Sequence, residues 1–465
     1  MLLPLGVYDD GSFAGSLVLD GVPAELGAGA VPMDVLEGKG TPGSRGMVGG
    51  EFNAEKLERA GWAVMFGASV DPQIRKNLTP LLEHRKAQVG EEGVARGLYK
   101  ELPPPAAGQT ASQWLVTQGT NLAVVDPEKG VPYYVMIVAG PEEVSFEFQY
   151  ELDLYWGVGR LWLDTPAAYE RYAHSVIAYE NAANQVATSR QMVIFAPSFE
   201  GQDNGAGRAL CDFLIDPMLA ANPGKFDKFK LQSFVGPEAT KQKLYDVLAG
   251  TIDGGTPALM FTGSHGLLKA RDSKQLAIAQ GAILCEPWMS PPKGDNYYGA
   301  WDLDKTAKIH GMVHFVFACY GLGWPQYDTY NYQEKVEISP APMMARLPQA
   351  LLGRENGALA VLGHIDRAWS SSYRMNGLSE DQSFRDVIER ILAGRRLGSA
   401  TDQFNVRWAA LSVQLSETLL RMKDDPALAE EAAQQLKVRD DARNYLLHGD
   451  PAVRLRTDER DMPRL

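Results

Sequence analysis

Six short apolar runs punctuate this chain, and none of them alternates: WAVMFG (62–67), PYYVMIVAG (132–140), MVIFAP (192–197), ALMFTGSHG (258–266), FVFACYGLG (315–323) and ALAVLGH (358–364). A strand with one wet face alternates apolar and polar residues, whereas one covered on both faces reads as an unbroken apolar block. The runs therefore predict strands of a mostly parallel sheet. Between them lie stretches with helical periodicity, extending to about residue 88 and over 205–220, 239–249, 381–394, 402–422 and 426–438. From Thr165, the segment TPAAYERYAHSVIAYENAA has an N-cap, a proline at the first helical position and apolar residues at Tyr169, Tyr172, Ala173, Val176 and Ile177. Strands alternating with helices give an α/β fold, a three-layer α/β/α sandwich.

A chain of 465 residues exceeds one ordinary core. An N-terminal α/β subdomain over 1–185, carrying a Gly/Pro-rich loop at 20–50, and a second α/β domain over 186–465 are expected. LPPPAAGQTAS (102–112) is read as a surface crossing, because consecutive prolines cannot pair in a central strand.

Charge narrows the function. Acidic residues outnumber basic ones 58 to 45, for a formal net charge of −13, and no Lys/Arg run is longer than a pair. Such a surface repels phosphate backbones and anionic membranes, so neither nucleic acid nor membrane is expected as a partner. MLLPLGVY (1–8) has neither a basic region nor an apolar segment of leader length, and the expected address is the cytoplasm. The three cysteines, Cys211, Cys285 and Cys319, are too few and too scattered for a disulfide framework or a closed zinc site. His310 and His314 stand four apart at the start of a predicted strand, a spacing that does not put both in one metal shell. No metal or organic cofactor is expected. Neither a GxSxG elbow nor a GxxxxGK[ST] loop occurs.

In open α/β sheets the reactive groups gather at the carboxyl ends of the strands. Three predicted strand ends carry such groups: Ser264-His265-Gly266, Ala318-Cys319-Tyr320 and His364-Ile365-Asp366. A cysteine nucleophile needs a base to form the thiolate and N–H donors for the oxyanion. His265 and Cys319 supply the first two, and the amides of Gly266 and Cys319 are the candidate oxyanion donors. The 54-residue gap from His265 to Cys319 matches the arrangement in which a catalytic histidine lies about 50 residues ahead of its cysteine. Cys285, in AILCEPW, is read as packing.

An apolar block ending in His-Gly followed by another ending in Ala-Cys resembles the caspase-like cysteine peptidases, which include caspases, legumains, gingipains, separases and CHAT proteins. The likeness is nearest to the bacterial gingipain-type and CHAT-type members. WGVGRLWLDTPAAYERYAHSVIAYEN (156–181) resembles the gingipain-type join between a non-catalytic and a catalytic half, and NYLLHGDPAVRL (444–455) resembles the Leu-Gly-Asp-Pro motif that closes the catalytic domain. Residues 1–130 match no motif. The resemblance implies a caspase-like sandwich and an endopeptidase acting on protein substrates through His265 and Cys319. In separases an Asp just past the strand after the cysteine strand receives a basic side chain, and Asp366 in VLGHIDRAW stands in a similar position, implying cleavage after Arg or Lys. His364, Asp153 and Trp324 are further candidate substrate contacts. A regulatory protein partner and a role in bacterial regulation or defence are the wider expectations, with a catalytically silent CHAT-like scaffold as the alternative.

Overall fold

The computed structural model describes residues 3–14, 52–122, 125–181, 189–221, 229–332, 334–375 and 377–457. The Gly/Pro-rich stretch at 20–50 and the boundary set at 185/186 lie outside these residues. The strands of the first part are β1 (Gly6–Tyr8), β2 (Trp62–Phe66), β3 (Tyr99–Leu102), β4 (Tyr134–Val138) and β5 (Gly157–Arg160). Then come β6 (Ser189–Ala196), β7 (Lys230–Val235), β8 (Pro257–Gly263), β9 (Gly266–Leu268), β10 (Ile283–Leu284), β11 (Tyr297–Tyr298) and β12 (Val313–Phe317). Last are β13 (Gly323–Trp324), β14 (Met343–Met344), β15 (Ala360–His364), β16 (Arg374–Met375), β17 (Leu378–Ser379) and β18 (Tyr445–Gly449).

Ten of them form one sheet in the order β3-β2-β4-β5-β18-β15-β12-β8-β6-β7, flanked by helices in a mixed α/β architecture. The six apolar runs supply β2, β4, β6, β8, β12 and β15. Every residue of β4, β8, β12 and β15 is buried, as strands covered on both faces must be. Neighbours are parallel throughout except at β15·β18. The sheet thus consists of two parallel halves of opposite direction, and β18, drawn from the far end of the chain, joins β5 to β15.

Two of the motifs build this seam. In the WGVGRLWL part of the join only Gly157–Arg160 is strand, and its glycines are there for space: a Cβ on Gly159 would lie 2.3 Å from the Gly449 carbonyl oxygen. NYLLHGDPAVRL contributes β18 and then Asp450, whose buried carboxylate accepts from Trp62 Nε1 at 3.0 Å and Arg85 Nε at 2.6 Å. The helix Pro166–Glu180 starts where the proline predicts and buries Tyr169, Tyr172, Ala173 and Val176; Thr165 is its N-cap, with no side-chain cap bond. Among the described residues no helix is long and apolar enough to cross a membrane.

Two histidines stiffen the sheet core in neutral form. His314 bonds Thr262 Oγ1 at 2.8 Å and His448 bonds the Trp162 carbonyl at 3.1 Å, and both side chains are wholly buried. Desolvation pulls each pKa from 6.5 down to about 3. The unfolded chain then binds protons that the folded one refuses, so stability is complete above pH 6.5 and is lost as the pH falls from 6.5 towards 3. At pH 4.5 the two should together cost about 5 kcal/mol. The urea midpoint should fall sharply between pH 7 and 4.5, and His448→Gln should recover about half of that histidine-linked loss; no recovery would contradict this assignment.

Candidate active site

Strand register brings the predicted groups together. β8 and β12 pair in parallel with Gly263 opposite Phe317, so two residues further along each chain His265 and Cys319 leave the sheet at the same level. The bond from Ser264 N–H to the Phe317 carbonyl (3.1 Å) holds the two strand ends together past the last ladder pair. Gly266 then passes so close to Cys319 that a Cβ on it would lie 2.0 Å from the Cys319 carbonyl oxygen.

His265 is fixed on its other side by a residue that sequence reasoning did not select. Its Nε2 lies 2.6 Å from Asp203 Oδ2, and both side chains are wholly buried. Asp203 also accepts from the backbone N–H groups of Gly205 (2.8 Å) and Gly207 (2.9 Å). Burial by itself would raise the Asp203 carboxyl, but the bond and charge of His265 and these two amides outweigh it and hold the group below the usual carboxylate range. When the imidazole is neutral, an ionised Asp203 that accepts the Nε2 proton leaves the lone pair on Nδ1. That Nδ1 is buried and has no hydrogen-bond partner among the described residues.

The rings of Phe199, Trp288 and Phe13 surround the imidazole at 5.5, 5.9 and 6.0 Å. Glu286 ties two of these walls together, accepting from Phe199 N–H (2.7 Å) and Trp288 N–H (3.1 Å). The Cys319 thiol is wholly buried beside the Ala368 N–H, 3.2 Å from Sγ. Burial pushes the thiol pKa up, opposed by that N–H and by Arg367.

The amides of Gly266 and Cys319 converge on a single acceptor, the Leu5 carbonyl oxygen, at 2.9 and 3.1 Å. A carbonyl held by two backbone N–H groups beside a thiol is the ground-state counterpart of an oxyanion site.

The model of peptidase family C25 matches residues 132–456, well over half of the chain. The chain belongs to peptidase family C25. This is the gingipain family of cysteine peptidases in the caspase-like clan, so the protein is a cysteine-type peptidase, a hydrolase. No curated protein matches it significantly. Among solved structures, a chain described as "Structure of Protease" aligns with a TM-score of 0.48 and 11% identity, covering 85% of this chain and 78% of that one.

In this C25 peptidase the other candidate residues have separate places. Asp366 follows β15 at φ 71°, and its carbonyl accepts from Tyr320 N–H at 2.7 Å, which sets it near the cysteine loop. Its carboxylate is buried, with Oδ2 taken by Thr329 Oγ1 and Oδ1 by the Arg367 N–H at 2.6 Å. His364 is enclosed by Phe317 and Tyr445 and bonds the Asp441 carbonyl at 3.1 Å, pinning β15 to the helix Ala429–Arg443. Asp153 receives Val158 N–H at 3.0 Å and Asn405 Nδ2 at 3.2 Å, fixing the entry to β5. Trp324 is buried in β13 with Nε1 on Ser339 Oγ at 3.1 Å. These three side chains are occupied in supporting the fold around the site. His310 and His314 have different partners, the Ser175 carbonyl and Thr262. Cys285 is buried against the Ile283 carbonyl.

Proposed function

We propose that this chain is a cysteine endopeptidase in which Cys319 is the nucleophile, His265 the general base and acid, and Asp203 the group that orients the imidazole. The observation that carries the proposal is the convergence of the Gly266 and Cys319 amides on one peptide carbonyl beside the thiol. His265 Nδ1 takes the Cys319 proton, and Asp203 stabilises the imidazolium that results. Sγ attacks the substrate carbonyl carbon, and the charge that develops on its oxygen falls between the two amides. Collapse to the thioester expels the amine, which takes its proton from His265. Water, activated by the same imidazole, hydrolyses the thioester and frees the acid and the thiol. Apart from that water, every catalytic group in this sequence belongs to the chain itself, and the substrate is a protein or peptide.

Cleavage of a mixed peptide library, followed by mass spectrometry, tests the roles. Cys319→Ala and His265→Ala should each lose turnover by at least about 10⁴-fold, and Asp203→Ala by about 10³-fold through kcat rather than KM. Unchanged cleavage in Cys319→Ala or His265→Ala would overturn the assignment. A wild-type protein that cleaves nothing would favour a silent scaffold instead.

A further inference from the structure

We infer that the groove is built for an apolar P1 residue followed by glycine, and that the chain's own Leu5–Gly6 bond is such a substrate, cut once by Cys319 before other peptides turn over. The inference rests on the peptidase reading above. P1 here denotes the residue whose carbonyl is attacked.

Residues 3–8 lie in the site as a substrate would. Leu3 exchanges backbone and hydroxyl bonds with Ser370, its N–H to Ser370 Oγ and its carbonyl from Ser370 N–H, both at 3.0 Å. Pro4 opposes Trp369 in an antiparallel bridge, and its carbonyl receives Asn204 Nδ2 at 3.3 Å. Leu5 N–H donates to the Ala368 carbonyl at 2.9 Å, while its own carbonyl sits on the two amides. The backbone is therefore fixed on both sides of one peptide group, and that group is the one beside the thiol. Past it, Gly6–Tyr8 runs parallel to β9 from Gly266 to Leu268, and the chain turns so that Phe13 packs on His265.

The side chains define the class. Leu5 is wholly buried in the main apolar core, at the point where its backbone meets Ala368, Gly266 and Cys319. Asp366, the acid expected to receive Arg or Lys, has both oxygens engaged by Thr329 and Arg367, and the Arg367 guanidinium is 3.9 Å away. A basic P1 would bring a second cation next to Arg367. At the following position, a Cβ on Gly6 would lie 2.9 Å from both Cβ and Sγ of Cys319, so a larger residue there displaces the nucleophile. With the segment seated, Cys319 has no exposure, and other substrates are shut out until it leaves.

The step balances within the chain. Sγ bonds to the Leu5 carbonyl carbon, the Leu5–Gly6 C–N bond breaks, the Gly6 nitrogen takes a proton from His265, and water releases the Leu5 acid from the thioester.

Intact-mass measurement and N-terminal sequencing of the full chain test this. Wild type should begin at Gly6, reading Gly-Val-Tyr; Cys319→Ala and Gly6→Ala should stay uncut, Leu5→Met should be cut, and Leu5→Lys should be cut about 10²-fold more slowly. Supplied to the wild-type enzyme, the quenched peptide Leu-Pro-Leu-Gly-Val-Tyr should be hydrolysed about 10²-fold better than its counterpart with Arg in place of the second Leu. This comparison does not depend on any variant folding. If the enzyme hydrolyses other peptides, above all after Arg or Lys, while leaving Leu-Gly bonds and its own N-terminus intact, the inference fails and the peptidase reading survives. If no peptide is cleaved and the N-terminus is intact, both fail together.

Discussion

Gly266→Ala should lower kcat/KM by about 10²–10³-fold while the protein remains folded. The glycine is required for space rather than for backbone freedom, because the added Cβ would stand 2.0 Å from the carbonyl oxygen, 3.0 Å from the carbonyl carbon and 3.3 Å from the nitrogen of Cys319. All three are backbone atoms and cannot swing aside as a side chain would. Relief must come from separating the two strand ends, which moves both amides away from the point where the substrate oxygen sits. The stability cost should be that of an overpacked site, about 1–3 kcal/mol, so the loss of turnover exceeds what unfolding explains. Steady-state kinetics with a parallel urea melt separates the two. Activity within tenfold of wild type would mean that the Gly266 amide does not hold the oxyanion.

The second large effect is on stability. Asp450→Ala should destabilise the protein by about 3–5 kcal/mol, read as a large fall in the urea midpoint. Arg85 is wholly buried and is held from two sides, by Asp450 at 2.6 Å and by Glu180, which accepts from both terminal nitrogens at 2.6 and 2.7 Å. Burial opposes the guanidinium charge, but the two carboxylates outweigh it and raise the Arg85 pKa. Burial likewise opposes ionised Glu180, and Arg85 and His84 outweigh it to lower that carboxyl. Deleting Asp450 leaves a buried cation half paired and strands Trp62 Nε1 as well. Because Trp62 opens β2 and Asp450 follows β18, the damage falls on the seam of the sheet. Asp450→Asn keeps the shape and should cost less. A midpoint for Asp450→Ala within experimental error of wild type would contradict this account of the Gly-Asp-Pro motif.

The strands were legible because burial on both faces leaves a mark in local sequence, and the unbroken runs at β4, β8, β12 and β15 carry it. His265, Gly266 and Cys319 were legible as candidates for a related reason: each stands where an apolar run stops, and glycine beside a histidine has little packing value. Asp203 was not. It lies in the loop SFEGQDNGAG after β6, where Glu200 is an equal candidate by sequence, and only the β6·β8 pairing brings Asp203 to the imidazole. The one available signal was its place past the end of another buried strand. The place of residues 3–8 beside Cys319 was hidden for the same reason. Read locally LPLGVY is a short apolar stretch, and its placement depends on contacts with Ala368 and Ser370 more than 360 positions away. The reversal of sheet direction at β15·β18 is also a non-local pairing that neither periodicity nor composition encodes. Asp153, His364 and Trp324 each have hydrogen-bond partners inside the fold.

The nucleophile itself can be tested in one measurement. The chain has three cysteines, Cys211, Cys285 and Cys319, all buried. Burial raises the pKa of each thiol, Cys211 to about 12, so thiol acidity alone does not single one out. After reaction with a Pro-Leu acyloxymethyl ketone and digestion, peptide mapping should place one adduct on Cys319 and none on the other two, with the adduct lost in His265→Ala. An adduct on Cys211 or Cys285, or hydrolysis that continues with Cys319 unmodified under saturating probe, would contradict the account.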